Sequence, residues 1–358
     1  MSDTPLPNDM DRSRTPPAQT GESKVMELLA KAVGHRRALI ASDLTQSYRV
    51  FSGAADGIDG LFIDVYGVGA AVAMYEGRIP RSLEPHKLCE LVLGALRPTG
   101  VRAVYLKPFP RDRSKIGGEL PAVVTARAPE AGEPLDEALV VREHTWKLEV
   151  RLYDGFSTGL FLDQRENRAF VARTVEQMRR SRGAGEAVTV LNTFAYTCAF
   201  SVAAAMAGAV TTSVDVSARY LDWGRRNFVH NGLDPAIHRF AKMDTFEFLE
   251  YAARKGLRYD LIVLDPPSFA SGNKRKGIRP WSSVADYCKL VTAASGVLNR
   301  KGLILASTNT QELCKPGRLD REITRGLGEE PRWHKLPAPP ADFEREQERF
   351  AARAFTPA

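Results

Sequence analysis

The sequence predicts an α/β protein, with a mostly parallel sheet carrying helices on both faces over residues 151–358 and a small α+β domain before it over residues 24–150. Three observations lead there. Residues 188–191, 209–214 and 261–264 are short β-rich runs separated by helical stretches, and the chain turns polar at the end of each, at Asn192, Asp215 and Asp265, as it does at Asp244 after a further helix. Such continuous apolar runs suit strands buried on both faces of a parallel sheet, whose ligands gather at the carboxyl ends. The small-residue stretch 201–207 can lie close against that sheet, with its free N-terminal amides directed back at the loop 192–200. Before residue 150 the pattern changes to alternation around the turn-rich segment 55–60, which marks hairpins.

Taken in order, residues 1–23 are Pro, Ser, Thr and Asp with few apolar side chains, and are expected to be a disordered tail. Residues 24–41 have helical spacing at Val25, Leu28, Leu29, Ala32 and Val33 and a basic end, the pattern of a docking helix. Residues 47–53 and 60–66 form a predicted hairpin, with further strands at 70–75 and 103–107 and a helix at 88–96. Residues 127–136 read as a loop, and 145–152 alternate as a strand. After the sheet's fourth strand come a predicted helix over 281–298, a strand over 302–306 and a helix over 319–327. Residues 343–355 are charged, with a locally helical pattern.

The 358 residues are 44% hydrophobic, enough for two domains with cores of their own. A net charge of +7 favours an anionic partner but also suits an ordinary basic enzyme. Cys89, Cys198, Cys288 and Cys314 are widely spaced, form no CxxC pair and are expected to be free thiols. No apolar run approaches the roughly 18 residues of a membrane helix, and a cytoplasmic location is expected, with no metal.

The strand ends carry the chemistry. An acid at the tip of the second strand of such a unit, here Asp215, is placed to bind a ribose diol. Asp265-Pro266-Pro267 ends the fourth strand; two prolines fix φ and remove two amide donors, so Asp265 is aimed and Phe269, four residues on, can face a base. A lone Asp-Pro-Pro is an ordinary strand-ending turn. Loop, acid, acid and Asp-Pro-Pro together resemble the Rossmann-like class I methyltransferases that use S-adenosylmethionine. With residues 158–168, 191–197, 214–217 and 265–269, the chain is similar to bacterial 23S ribosomal RNA methyltransferases over nearly everything outside the tail.

That resemblance implies S-adenosylmethionine as cofactor, held by Phe161, Asp163, Gln164, Arg165, Asn192, Thr193, Phe194, Ala195, Tyr196, Thr197, Asp215, Val216, Asp244, Thr245 and Asp265. It implies rRNA as partner, within a ribosome precursor or free, and places Asp265, Pro266, Pro267 and Asn309 at the reaction. Two branches differ in chemistry. Methylation of cytosine C5 needs a thiolate that adds to the ring, and where that branch carries its cysteine motif this chain has Ala306-Ser307-Thr308-Asn309. Methylation of guanine N7 uses the ring's own lone pair and needs positioning alone. Residues 158–163, 214–217, 220–223, 231–233, 307–309 and 341–345 resemble the guanine-N7 half of a bifunctional large-subunit enzyme more closely. The same family departs from this chain at Cys198-Ala199, where it has glycine, so two Cβ groups are expected against the cofactor and a weaker affinity follows. An RNA-binding protein that retains the fold without turnover is the remaining alternative; a nicotinamide dehydrogenase lacks its G-x-G-x-x-G. RNA contacts are expected from Phe269, Lys274, Arg275, Lys276 and Arg279, in a stretch with four cations and no acid between 273 and 280. Arg179, Arg180 and Arg182 form a second basic cluster, better read as a solvated helix end. For residues 343–355 the family would supply an antiparallel strand pair, against the local helical pattern.

Overall fold

A computed structural model describes residues 21–80, 83–111, 120–182, 186–270, 272 and 280–358. The first helix, Gly21–His35, takes in the last three residues of the predicted tail. Glu22 in its first turn suits the positive helix terminus, and Val25, Leu29 and Ala32 bury one stripe at helical spacing. Residues 1–20 lie outside the described residues.

The stripe packs on a five-stranded sheet of β1 (Ser47–Ser52), β2 (Leu61–Tyr66), β3 (Gly69–Tyr75), β4 (Ala103–Phe109) and β5 (Ala131–Gly132), side by side in that order. β1, β2 and β3 are antiparallel neighbours, and β4 returns parallel to β3 after the helix Pro85–Leu96. A separate hairpin follows, β6 (Leu139–Glu143) and β7 (Trp146–Val150). Its Val141, Trp146, Leu148 and Val150 share a core with Val190, Val202 and Leu221, so 139–150 pack with the larger sheet although their sequence reads as the end of the small domain. Tyr66, Ala71, Ala103 and Tyr105 of the small sheet join the same core.

The larger sheet contains β8 (Thr189–Thr193), β9 (Val210–Asp215), β10 (Arg239–Lys242), β11 (Tyr259–Leu264), and then, after the two-residue pair β12 (Phe269–Ala270) and β13 (Trp281–Ser282), β14 (Leu298–Thr308), β15 (Arg332–His334) and β16 (Ala351–Thr356). Its order is β10-β9-β8-β11-β14-β16-β15, parallel from β10 to β14 and antiparallel beyond. The architecture is thus α/β with a mostly parallel, Rossmann-like sheet. The chain winds one way from β8 through β10 and the other way from β11 through β14, so the crevice of a doubly wound sheet falls at the carboxyl ends of β8 and β11.

Two predictions shift near that crevice. Trp281 lies in a strand and its helix starts at Ser283, because the indole donates to the Pro267 carbonyl at 2.6 Å and holds the end of the proline turn. The C-terminal conflict resolves into both patterns. Glu344–Arg349 is a 3-10 turn, and Ala351–Thr356 is a strand paired between β14 and β15. Among the described residues, no helix is long and apolar enough to cross a membrane.

Candidate active site

The loop from β8 to the helix Ala199–Met206 is held in an unusual conformation. Phe194, Tyr196 and Cys198, alternate residues, have φ of 53°, 49° and 63°. Left-handed backbone at a bulky residue costs about 1 kcal/mol or more and persists only where the surroundings fix it. Here Ala195 N–H donates to the Val214 carbonyl at 2.9 Å, Tyr196 N–H to Asp215 Oδ2 at 2.9 Å, and Thr197 Oγ1 to the Gly159 carbonyl at 2.6 Å. Gly159 itself sits at φ 99°, where an added Cβ would overlap the Trp223 indole.

Asp215 is thereby fixed at the tip of β9, its second oxygen taking the Ser217 N–H at 2.8 Å, and burial raises its pKa. Beside it Val216 is 41% exposed. At the end of β10, Asp244 caps the helix Thr245–Arg254, with Oδ1 accepting Phe246 N–H at 2.9 Å and Oδ2 accepting from none of the described residues. Asp265 follows β11. Gln164 Nε2 at 2.8 Å and Ser307 Oγ at 2.6 Å both donate to its Oδ1, while burial holds its pKa above the usual carboxylate range. Pro266 is buried and Pro267 exposed, and the Pro267 carbonyl also accepts from Ser283 Oγ at 2.9 Å. Ser268 Oγ donates to Asn309 Oδ1 at 2.6 Å, tying the turn to the end of β14.

Asp163 completes the centre. It sits in the 3-10 turn before the helix Arg165–Arg182; its Oδ1 is buried without a hydrogen-bond partner, and its pKa is raised to about 6, first by desolvation and then by the charge of Asp265. Two neighbouring carboxylates, one with an unpartnered buried oxygen, make a locus that favours a positive charge. S-adenosylmethionine brings two cationic centres, a sulfonium and an ammonium, and the donor set fits it. Asp163 and Asp265 suit the cations, Asp215 the ribose hydroxyls, and Asp244 Oδ2 the adenine amine.

A cleft of about 1090 Å3 opens from this centre toward the small sheet, lined by Phe161, Asp163, Tyr196 and Asn309 on one side and by Arg49 and Phe62 on the other. Phe161, 49% exposed, lies with its ring 5.2 Å from that of Tyr196.

Several residues expected at the cofactor have side chains committed within the protein. Asn192 is buried and donates to Ser201 Oγ at 2.9 Å, Thr193 is buried and donates to the Val263 carbonyl at 2.7 Å, and Thr197 is committed to Gly159. Ala195 and Thr245 are buried, and Phe194 lies against the Trp281 ring at 5.8 Å. Arg165 turns away from the cleft to the Ser47 carbonyl and the buried Asp342, because it clamps the small domain and the C-terminal segment together. Gln164 serves Asp265 rather than the cofactor. The expected intrusion is corrected at Cys198, while Ala199 is half-buried. The Cys198 side chain is fully buried and faces Gly224 of the helix Ala218–His230, where the missing Cβ leaves room for the thiol. Phe269 is 68% exposed; Lys274, Arg275, Lys276 and Arg279 lie outside the described residues. In the other basic cluster, Arg182 is bound to Asp260 by both of its terminal nitrogens, the far one at 2.5 Å, and Arg179 donates to the Ala207 carbonyl at 3.0 Å. Among the described residues no group of His, Cys, Asp and Glu is arranged to hold a metal.

Ser307 and Asp342 are functional positions that residue-level reasoning passed over. Each lay in a segment noted only for its resemblance, Ser307 beside Asn309 and Asp342 in 341–345; their partners, Asp265 and Arg165, are more than 40 residues away.

The family model of S-adenosylmethionine-dependent methyltransferases matches residues 125–341. A Bacillus subtilis (strain 168) protein provisionally named ribosomal RNA large subunit methyltransferase YwbD is 35% identical over 295 residues, 82% of this chain and 68% of its own length. Ribosomal RNA large subunit methyltransferase K/L of Psychromonas ingrahamii is 33% identical over 265 residues, 72% of this chain, but the match spans only 31% of that protein. Among solved structures, SMU.776 complexed with SAH superposes with a TM-score of 0.77 at 30% identity, covering 95% of this chain and 83% of that one.

Proposed function

The chain belongs to the S-adenosylmethionine-dependent methyltransferase family, and from that premise we propose that it methylates a base of 23S ribosomal RNA, at guanine N7. The relatives named above are large-subunit rRNA methyltransferases by name, which supports the substrate class. One observation disfavours cytosine C5, and the choice of guanine N7 over an exocyclic amine rests on the resemblance. Cys314, the thiol on the cleft wall, is pushed up to about 11 by burial and donates to the Thr308 carbonyl at 3.6 Å, so at neutral pH it is a protonated thiol and no ring-adding nucleophile. Cys198 is pushed up to about 12 and fully buried.

When bound, S-adenosylmethionine supplies an electrophilic methyl on a sulfonium. The lone pair of guanine N7 would take that methyl as the sulfur–carbon bond broke toward sulfur, and no proton would have to leave the base. The positive charge passes to the purine, where Asp265 and Asp163 stabilise it. Gln164 and Ser307 fix Asp265 by its Oδ1, and the Pro267 carbonyl, held by Trp281 and Ser283, keeps the turn from swinging. Asn309, braced by Ser268, borders the base across the cleft. The test is mass spectrometry of nucleosides from 23S rRNA of a deletion strain. Loss of one N7-methylguanosine, restored by the wild-type gene, is expected; loss of 5-methylcytidine instead would overturn the N7 assignment.

A further inference from the structure

The carboxylate at the reaction is held by a chain of hydrogen bonds that runs one residue beyond its two donors. Asp265 Oδ1 accepts from Gln164 Nε2 at 2.8 Å and from Ser307 Oγ at 2.6 Å, while Oδ2 accepts from none of the described residues. Gln164 Nε2 also donates to Ser307 Oγ at 3.0 Å. On its other side, Gln164 Oε1 accepts from Asn167 Nδ2 at 2.8 Å. Gln164 ends the 3-10 turn Leu162–Gln164 and Asn167 lies in the first turn of the helix Arg165–Arg182, so a spacing of three residues puts both side chains on one face.

Chemistry fixes the direction of this chain. An ionised carboxylate only accepts, and the single proton of the Ser307 hydroxyl goes to Asp265 at 2.6 Å rather than to the Leu264 carbonyl at 3.4 Å. Gln164 must therefore turn its NH2 toward both groups and its carbonyl oxygen toward Asn167. A glutamine amide has nearly the same shape when turned over, so packing does not choose between the two orientations. The turned amide would set Oε1 against an oxygen that cannot donate. The choice is made by polarity at both ends, by Asp265 and by Asn167. Water is a poor substitute for Asn167, because Gln164 is 3% and Asn167 6% exposed. Ser307 is fixed independently, through its carbonyl, by the buried Tyr287 hydroxyl at 2.8 Å.

We propose that Asn167 is a positioning residue for methyl transfer, which sets the amide of Gln164 and through it decides where the open oxygen of Asp265 lies. With both donors on Oδ1 the carboxyl group is held in a single orientation, and Oδ2 is the atom left to meet the cationic methyl donor and the base. Transfer to an acceptor that needs no activation depends on position, and a misplacement of about 1 Å costs up to about a hundredfold in rate. The role rests on the reading above that Asp265 acts at the transfer.

The test uses the full chain with an unmodified 23S rRNA transcript as methyl acceptor. Asn167→Leu keeps the branching and removes the donor; Asn167→Asp keeps the shape and offers only acceptors, so it asks Gln164 to turn over. The turnover number kcat is expected to fall about tenfold in Asn167→Leu and further in Asn167→Asp, while KM for S-adenosylmethionine stays within about threefold. Gln164→Leu leaves Ser307 alone on Asp265 and should itself lower kcat about tenfold, and in that background neither change at Asn167 should lower it further. A loss that persists in the Gln164→Leu background overturns the proposal, because Asn167, which borders the cleft, then acts by direct contact, by charge or by packing. In protein labelled with 15N at glutamine, the side-chain amide signal that disappears in Gln164→Leu should be displaced in both Asn167 variants, a readout that needs no turnover and also reports folding. An unmoved signal overturns the proposal whatever the activity. A wild type that binds cofactor but transfers no methyl to the transcript overturns the rRNA reading, and the amide signal then decides the link from Asn167 to Gln164 on its own.

Discussion

Asp163→Asn is expected to make the protein more stable and a poorer binder of its cofactor. The acid lies beside Asp265 with a buried, unpartnered oxygen, and its pKa is about 6 against an ordinary 3.8. A folded-state pKa above the unfolded one means that the folded state prefers the neutral acid. Stability is fully present below 3.8, begins to fall as the unfolded chain ionises, and is lost as pH rises through about 6. At about 1.36 kcal/mol per unit of pKa, the loss at neutral pH is at most about 3 kcal/mol, and at pH 5 it is about half of that. An amide of the same shape never ionises and escapes the loss. Urea denaturation should therefore show the variant more stable by about 1–3 kcal/mol at pH 7.5, with the gap roughly halved at pH 5. Calorimetry at pH 7.5 should show S-adenosylmethionine bound about tenfold more weakly, since a carboxylate facing its cationic centres is gone. A variant no more stable than wild type at pH 7.5, or a gap that ignores pH, would refute the idea that this acid is held against its own solvation for the cofactor's sake.

Asp265→Ala should abolish methyl transfer to rRNA in a radiolabel assay and also weaken cofactor binding, since one of the two carboxylates suited to the cofactor's cations is gone; retained turnover removes it from the mechanism. Cys314→Ser should keep methylation within about twofold, and a dead variant would restore the cytosine reading. Gly224→Ala should destabilise by roughly 1–3 kcal/mol, because the new methyl overlaps the Cys198 thiol, and Cys198→Ala in the same chain should recover only part of it in a double-mutant cycle, since the Cys198 Cβ itself lies 2.9 Å from the new methyl. Replacing Lys274, Arg275 and Lys276 by Ala should reduce the slope of log affinity for single-stranded RNA against log salt by about 2; an unchanged slope places the phosphate contacts elsewhere.

Much of the site was legible in the chain because it consists of strand ends. Asp215 and Asp265 follow β-rich or apolar segments and Asp244 a further helix, at the spacing of successive units, and a parallel sheet has only one place to put such residues. The proline turn was equally local, since its stiffness is a property of Pro266 and Pro267 themselves. The roles of polar residues inside the loop were harder to read. Asn192, Thr193 and Thr197 are implied as ligand-binding groups by the resemblance, and in the fold the side chain of each satisfies a buried partner, since leaving that partner unpaired would cost its desolvation. The same holds for Arg165, a guanidinium whose partners, Ser47 and Asp342, lie 118 and 177 residues away.

The sequence alone thus determined a mostly parallel sheet and the acids on its rim, which follow from local apolar pattern and turn chemistry, while the cofactor followed from the resemblance those residues carry. Only the tertiary structure decided which oxygens stay open. It alone placed Asp163 beside Asp265, brought Gln164 and Ser307 onto one oxygen of Asp265, and turned Cys198 toward Gly224 and away from the cleft. Those outcomes depend on packing and strand register between segments distant in the chain, and the free energy of a charge or a thiol is set by what surrounds it in space, which no local stretch of sequence contains.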